Sequence, residues 1–98
     1  MDVFWLEAAI ADVEEIVAYI EADNPPAARH VASGLYDAAT QLVSHPRIGR
    51  RGRSRGTREL VVPSLPFIIA DRIRADRVEV IRVIHGRRSW RKAFKERR

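Results

Sequence analysis

The first half of the chain repeats apolar residues with the spacing of an α-helix. In residues 7–22 the apolar positions are Ile10, Val13, Ile16, Val17 and Ile20. This spacing follows the 3.6-residue period and predicts an amphipathic helix. Its outer face is predicted to carry the acidic residues of the segment, which are Asp12, Glu14, Glu15 and Glu21.

A second helix is predicted directly after the first. Asn24 is a favourable N-cap, and Pro25 suits the first helical position. The helical spacing continues at Ala28, Val31, Leu35, Ala38, Ala39, Leu42 and Val43. The helix should end before His45, because a residue that precedes proline avoids the α region. The two helices therefore form an antiparallel αα-hairpin.

The second half of the chain contains three short segments with the composition of β-strands. They are residues 58–62, 67–70 and 78–84. Residues 63–66 supply the first turn between them, and Ala75 with Asp76 lies in the second turn. Residues 1–5 are short and apolar and are compatible with a further strand. The predicted class is α+β, with one domain over residues 1–98.

The C-terminal segment, residues 89–98, is compatible with a brief helix. Ser89 would be its N-cap, and Trp90, Ala93 and Phe94 would share one face. We expect at least one of the two aromatic side chains to close the core, because large aromatic groups are seldom left idle on a small domain.

The composition excludes several kinds of site. The chain has no cysteine, which excludes disulfides, thiol catalysis and cysteine-ligated zinc and suits the reducing cytoplasm. The three histidines, His30, His45 and His85, lie far apart in sequence, so neither a metal site nor another cofactor is predicted. No apolar run approaches the length of about 20 residues that spans a bilayer. No signal-peptide pattern is visible, and we expect a cytoplasmic protein without membrane contacts.

The net charge of +5 is divided unevenly along the chain. Residues 1–45 carry eight acidic residues against one arginine, whereas residues 46–98 carry 17 basic residues against five acidic ones. Such a division is typical of a binding face for an anionic partner. A basic sheet beside acidic helices would produce the same division without any external ligand.

The basic character is densest in residues 47–57, where five arginines alternate with three glycines. A segment of this composition cannot pack a core and is predicted to be mobile. It is either an arm that contacts phosphates or a solvated linker whose arginines aid solubility.

The strand that ends at His85 is followed by a cluster of cationic and aromatic residues, which comprises Arg87, Arg88 and Trp90. At one sheet edge, such groups could hold a polyanion or a protein partner. His85 could also exchange protons, since the ordinary pKa of histidine lies near neutrality.

Taken in order, several pieces of the sequence resemble the RelE/ParE superfamily of bacterial toxins. The pieces are Trp5, Tyr19-Ile20, Asp23-Asn24-Pro25, Leu42, His45-Pro46, Gly49-Arg50, residues 56–62, residues 66–69 and residues 80–88. The last two are more similar to the ParE branch than to the RelE branch. The resemblance covers nearly the whole chain.

The resemblance implies a helical hairpin packed on a small, mostly antiparallel sheet of three to four strands. It also implies a type II toxin–antitoxin module and a cognate antitoxin whose C-terminal segment wraps the toxin. ParE-type toxins act on DNA gyrase, whereas RelE-type toxins cut messenger RNA on the ribosome.

Cleavage of RNA by its own 2′-hydroxyl needs a base, an acid and cations around the phosphorane. RelE-type toxins supply these groups with strand lysines and arginines and a C-terminal tyrosine, or with a glutamate, arginine and histidine set. Here Phe67 to Ile69 replace an expected strand arginine, and both lysines lie in the tail. The ribonuclease hypothesis therefore depends on one set: His85, Arg58, Arg82 and Arg87. Glu59 and Glu79 are the candidate partners of His85.

The first hypothesis is instead a non-enzymatic inhibitor of DNA gyrase that traps the DNA-cleaved complex. The residues expected to contact the target or the antitoxin are Arg58, Arg82, His85, Arg87, Arg88 and Trp90. A third hypothesis is a simple nucleic-acid-binding module, in which the basic half contacts phosphates and Trp90 stacks on a base.

The antitoxin is expected to offer a C-terminal segment that mixes acidic and aliphatic residues. It could lie as a helix beside the helical hairpin and add a strand to an open sheet edge. Its carboxylates would pair with arginines of residues 47–58 or with those at the end of the last strand. Arg58 could equally be structural and pair with a carboxylate of the sheet or of a helix.

Overall fold

The computed structural model describes residues 1–86, which form two helices and five strands. The elements follow in the order β1 (Asp2–Trp5), α1 (Glu7–Glu21), α2 (Pro25–Ser44), β2 (Arg50–Arg51), β3 (Arg58–Val61), β4 (Phe67–Arg74) and β5 (Arg77–His85). The predicted helix over residues 89–98 lies outside the described residues, as do Trp90 and Phe94.

The helical hairpin is confirmed, with the turn chemistry that the sequence predicts. The side chain of Asn24 accepts a hydrogen bond from the backbone N–H of Ala27 at 3.1 Å, which satisfies one orphan donor of the first turn of α2. Pro25 follows as the first helical residue, and α2 ends at Ser44, two residues before Pro46. Two residues that the apolar spacing predicted to face the core, Ile10 and Val43, are exposed instead.

The five strands form one sheet in the order β1-β5-β4-β3-β2. β1 runs parallel to β5, and the other neighbouring pairs are antiparallel. The predicted count of three to four strands is therefore low by at least one. The missed strand, β2, contains only Arg50 and Arg51 and lies inside the segment that was predicted to be mobile.

The second predicted turn between the strands, at Ala75 and Asp76, is a two-residue hairpin. Arg74 pairs with Arg77, and the intervening Ala75 and Asp76 have φ values of 51° and 62°. Two positive φ angles are the mark of a type I′ turn, whose twist suits neighbouring strands. β4 therefore continues four residues beyond the predicted end at Ala70.

The core lies between the sheet and the two helices. Its largest fully buried apolar side chains are Leu35, Leu42, Ile69, Val62, Val78 and Val80. Alternate residues of β4 and β5 point away from this core, because side chains alternate along a strand. Ile68, Ala70 and Ile84 form a second, small buried cluster on that other face.

β5 contains a bulge that changes which of its residues face the core. Val80 pairs with Asp71 and Arg82 pairs with Ala70, so Ile81 is an extra residue between them. Val80 and Val83 both join the main core as a result. The bulge lies directly after Val80, the last residue of β5 that pairs with β1.

Candidate functional site

The ends of β4 and β5 and one side of α1 enclose a groove of about 600 Å³. Its lining residues are Asp12, Glu15, Ile16, Tyr19, Ile20, Val31, Pro66, Phe67, Val83 and His85. Apolar side chains form most of the lining, and two carboxylates of α1 belong to it. Tyr19 is 82% exposed, so a large aromatic side chain stands at the groove and is available to a partner.

Asp12 closes one side of the groove by holding α1 to β5. Its carboxylate accepts two hydrogen bonds from the Arg82 guanidinium, from Nε at 2.7 Å and from Nη2 at 2.9 Å. It also accepts one from the backbone N–H of Val83 at 2.9 Å. β1 pairs only with residues 77–80 of β5, so this N–H lies beyond the end of β1. Asp12 thus caps the open part of the strand edge.

This contact corrects the prediction that Asp12 lies on the solvent face of α1. The Asp12 and Arg82 side chains are only 14% and 15% exposed. The helical period shows that Asp12 is off the main apolar stripe, but it does not show where a sheet edge will approach the helix. The Arg82 guanidinium, expected to contact a target, is held in a bidentate ion pair within the chain.

His85 ends β5 and contributes to the same groove. Its ring lies edge-on to the Phe67 ring, with the ring centroids 5.7 Å apart. The side chain is half-buried, so part of it faces the groove. Neither predicted acid–base partner lies beside it. The carboxylates that share its groove are Asp12 and Glu15, which the sequence placed on a helix surface.

Glu79 and Glu59 are engaged elsewhere. Glu79 accepts hydrogen bonds from Arg72 Nε at 2.8 Å and from Arg77 Nη2 at 2.8 Å, which lower the pKa of the Glu79 carboxyl. Six residues separate Glu79 from His85 along β5, or roughly 20 Å in an extended strand. Glu59 lies two strands away from β5, and its carboxylate accepts hydrogen bonds from Arg50 and from the backbone N–H of Arg53.

Arg58 lies in a different part of the sheet from His85. Arg58 pairs with Asp71 in the middle of β4, whereas His85 pairs with Phe67 at the start of the same strand. The four-residue offset corresponds to roughly 13 Å along the strand, before the width of two strand spacings is added. The structure therefore does not bring Arg58 and His85 to one reaction centre.

Asp71 explains part of the environment of Arg58. Asp71 alternates with Ile69 and Ile73 on the helix-facing side of β4, is fully buried, and has no hydrogen-bond partner among the described residues. Burial raises the pKa of the Asp71 carboxyl to about 7, and the positive charge of Arg58 opposes that rise. Arg58 is thus the strand neighbour of a buried sheet carboxylate, which fits the alternative that Arg58 has a structural role.

Residues 50–59, which follow α2, are joined by hydrogen bonds that their arginine- and glycine-rich composition did not predict. Glu59 is 3% exposed and accepts hydrogen bonds from Arg50 Nη2 at 3.2 Å and from the backbone N–H of Arg53 at 3.0 Å. The backbone N–H of Gly52 donates to the carbonyl of Thr57 at 2.8 Å, which closes a hairpin between β2 and β3. Residues 50–57, which fall within the segment predicted to be mobile, therefore form β2 and a hydrogen-bonded turn.

Gly52 is needed for this closure. A Cβ at residue 52 would lie 2.2 Å from Oγ1 of Thr57 and 2.8 Å from its carbonyl oxygen. The backbone of Thr57 could not yield without loss of the hairpin hydrogen bond. The glycine that suggested disorder in the sequence therefore permits two backbone segments to approach closely.

Arg87, Arg88 and Trp90 lie outside the described residues, so their predicted contacts have no structural counterpart here. Among residues 1–86, no group of three or more histidines and acidic side chains could hold a metal ion. Within the same range, neither helix has the length and apolar composition to cross a membrane.

Comparison with known proteins gives one consistent family. The family model described as ParE toxin of the type II toxin–antitoxin system parDE matches residues 3–90. The protein named "Putative toxin Y4kP" of Sinorhizobium fredii (strain NBRC 101917 / NGR234) is 42% identical over 86 residues, or 88% of either chain. A solved structure described as the chromosomal ParDE TA system from P. aeruginosa superposes with a TM-score of 0.79. It is 22% identical, and the match covers 87% of this chain and 95% of that one, which supports the fold.

Proposed function

The chain belongs to the ParE toxin family of type II toxin–antitoxin systems, and from this premise we propose that it inhibits DNA gyrase without being an enzyme. The family match over residues 3–90 is the observation that carries the proposal. The inhibitor would bind gyrase while DNA is cleaved and prevent the break from being resealed.

The arrangement of the cationic residues favours an inhibitor over a ribonuclease. Arg82 is bound by Asp12, Arg58 faces Asp71 in the middle of β4, and His85 lies beside Phe67 at the start of β4. General acid–base catalysis needs its groups within hydrogen-bond reach of one substrate position. Binding to a protein target has no such requirement, because contacts can be spread over a broad surface.

The surface proposed to meet gyrase includes His85 and the residues that follow it in sequence. Gly86 is held by a hydrogen bond from its N–H to the carbonyl of Pro66 at 2.8 Å, so the chain leaves β5 in a fixed place. Arg87, Arg88 and Trp90 remain the proposed contact residues of the next segment. Arg58 is proposed as a contact only through its half-exposed side chain.

As a toxin of this type of system, the protein has a cognate antitoxin as its partner. We propose that an aliphatic part of the antitoxin occupies the groove between α1 and β5. The apolar lining and exposed Tyr19 suit such side chains, whereas the exposed Glu15 would repel acidic ones. The acidic residues of the antitoxin would therefore contact arginines away from the α1 side of the groove. A toxin that acts on gyrase works in the cytoplasm, where we place both proteins.

The proposal is tested by measuring gyrase supercoiling and ribosome-dependent mRNA cleavage with the same purified protein. We expect supercoiling to fall and mRNA to stay intact. His85→Gln should keep inhibition within a few-fold, because glutamine preserves polar contacts while it removes proton exchange near neutral pH. Cleavage of mRNA that is abolished by His85→Gln would instead establish the ribonuclease hypothesis.

A further inference from the structure

The hairpin of residues 50–58, together with Arg47, concentrates positive charge on an ordered backbone. Residues 47–58 contain six arginines and no acidic residue. The arginines are Arg47, Arg50, Arg51, Arg53, Arg55 and Arg58. The buried carboxylates near these arginines are Glu59, which binds Arg50, and Asp71, the strand neighbour of Arg58, so the local excess is at least four positive charges.

The two faces of the β2–β3 pair differ in how their charges are matched. Arg50 pairs with Glu59 across the strands, and opposite charges meet there. Arg51 pairs with Arg58, so two like charges face each other on the other side of the ladder, where the buried Asp71 of β4 is the strand neighbour of Arg58 alone. Directly opposed like charges destabilise a sheet unless an anion lies between them. The chain thus maintains an arginine pair that a bound anion would stabilise.

The tip of the hairpin suits a phosphate backbone better than an acidic protein. Residues 52–57 contain glycine, serine and threonine between exposed Arg53 and Arg55, with no apolar side chain. Protein interfaces usually rely on buried apolar or aromatic anchors. Phosphate contacts need only cationic and small polar groups on a backbone that can approach closely. The nearest exposed apolar side chain, Ile48, lies before β2 and outside the tip.

We infer that the hairpin of residues 50–58 is a DNA-binding surface on which Arg51 and Arg55 contact backbone phosphates and Glu59 fixes the hairpin. The choice of DNA among polyanions rests on the proposed function, since an inhibitor of cleaved gyrase acts beside DNA. The contact itself requires no gyrase. It is also separate from the groove between α1 and β5, whose lining includes none of these arginines.

The experiment titrates the purified full-length chain into a fluorescein-labelled DNA duplex of about 20 base pairs and measures anisotropy between about 50 and 200 mM salt. The test variant is Arg51→Gln/Arg55→Gln. The control is Arg29→Gln/Arg74→Gln, which removes two exposed arginines elsewhere and lowers the net charge equally. Circular dichroism and thermal melting verify that both variants are folded.

The test variant should lose about tenfold or more in affinity at low salt, and its log–log salt slope should fall by about 2, since each lost phosphate contact removes roughly 0.9. The control should change the slope by less than about 0.5. Equal losses in the two variants, or wild-type binding by the test variant, would overturn the inference. So would an unchanged DNA affinity with weakened binding to a poly-glutamate peptide, which would assign the hairpin to an acidic protein.

Gyrase inhibition is measured in parallel with the same variants. The test variant could lose DNA affinity while the wild-type protein fails to inhibit gyrase. That result would uphold the DNA surface and refute the proposed target. Gyrase inhibition by a protein whose hairpin variant binds DNA normally would refute the surface and leave the proposed target intact.

Discussion

Single residues at the edges of the sheet determine the shape of the groove between α1 and β5. Asp12 is the clearest case, because one carboxylate satisfies both a guanidinium and a strand-edge N–H. Its two partners become orphaned donors when the carboxylate is removed. Such losses are costly where water has limited access.

Asp12→Ala is therefore expected to lower the free energy of unfolding by about 2–4 kcal/mol. Urea denaturation monitored by circular dichroism measures the change. Glu14→Ala is the control, since Glu14 is an exposed acid on the same helix and should cost less than about 0.5 kcal/mol. Similar costs for the two variants would show that the contact of Asp12 with β5 contributes little.

Asp71 gives a prediction about pH. Its pKa is raised from 3.8 to about 7 by burial, so between these values the unfolded chain releases a proton that the folded chain retains. The unfolded state then binds fewer protons, and stability falls as pH rises from about 4 to about 7. Above about pH 7 the Asp71 carboxyl is ionised in both states, and its contribution to stability is fully lost.

Asp71→Asn removes this titration. The stability of the variant relative to the wild type should rise between pH 5 and 8 by roughly 1–3 kcal/mol, given about 1.4 kcal/mol per pKa unit. Urea denaturation across this pH range supplies the comparison. Parallel pH profiles for the two proteins would mean that Asp71 is already ionised in the folded state at pH 5.

At the scale of elements, the helices were predictable and the sheet was only partly so. Each helix has its own apolar period, and α2 also has the Asn24 cap and a proline just beyond its end, which are local signals. β4 was predicted to end at Ala70, yet Asp71 continues the strand inside the core. β2 was missed because two arginines carry no apolar alternation.

The same limit applies to the site. The sequence indicated His85, and the structure places it in the groove. Asp12, Glu15 and Tyr19 come to this groove from α1, which is distant in sequence. A helical period identifies a core-facing stripe, but long-range packing alone decides which flanking residues meet a sheet edge.

Glu59 is expected to hold the hairpin of residues 50–58 in its folded conformation. Glu59→Gln should weaken the contacts to Arg50 and to the Arg53 N–H and thereby expose residues 50–55 to trypsin. Loss of about 1.4 kcal/mol in local stability corresponds to cleavage about tenfold faster. Glu21→Gln, at an exposed position, is the control. Equal cleavage rates would show that Glu59 does not hold the hairpin closed.

At the scale of the whole molecule, the groove between α1 and β5 and the hairpin of residues 50–58 are separate surfaces. The groove lies beside α1, and the hairpin forms the opposite edge of the sheet from β1. This separation predicts that the proposed antitoxin contacts and the proposed DNA contacts can be weakened independently. It also matches the uneven charge of the chain, with carboxylates at the groove and arginines at the hairpin.

Tyr19 tests the assignment of the groove to the antitoxin. Tyr19→Ala should leave folding nearly unchanged, because the side chain is 82% exposed. Affinity for the cognate antitoxin, measured by calorimetry, should fall by about 2 kcal/mol, or roughly 30-fold, as expected for an aromatic anchor. Tyr36→Ala is the control, since Tyr36 is 57% exposed and is not a groove residue. Unchanged affinity of the Tyr19 variant would place the antitoxin elsewhere.

The most direct test of the central claim is a DNA cleavage assay with purified gyrase, supercoiled plasmid, ATP and the wild-type protein. The account predicts that supercoiling stops and that linear DNA accumulates with toxin concentration, because the cleaved complex is trapped. Addition of the cognate antitoxin should restore supercoiling. Undiminished supercoiling without linear DNA, from a folded protein that still binds its antitoxin, would contradict gyrase inhibition.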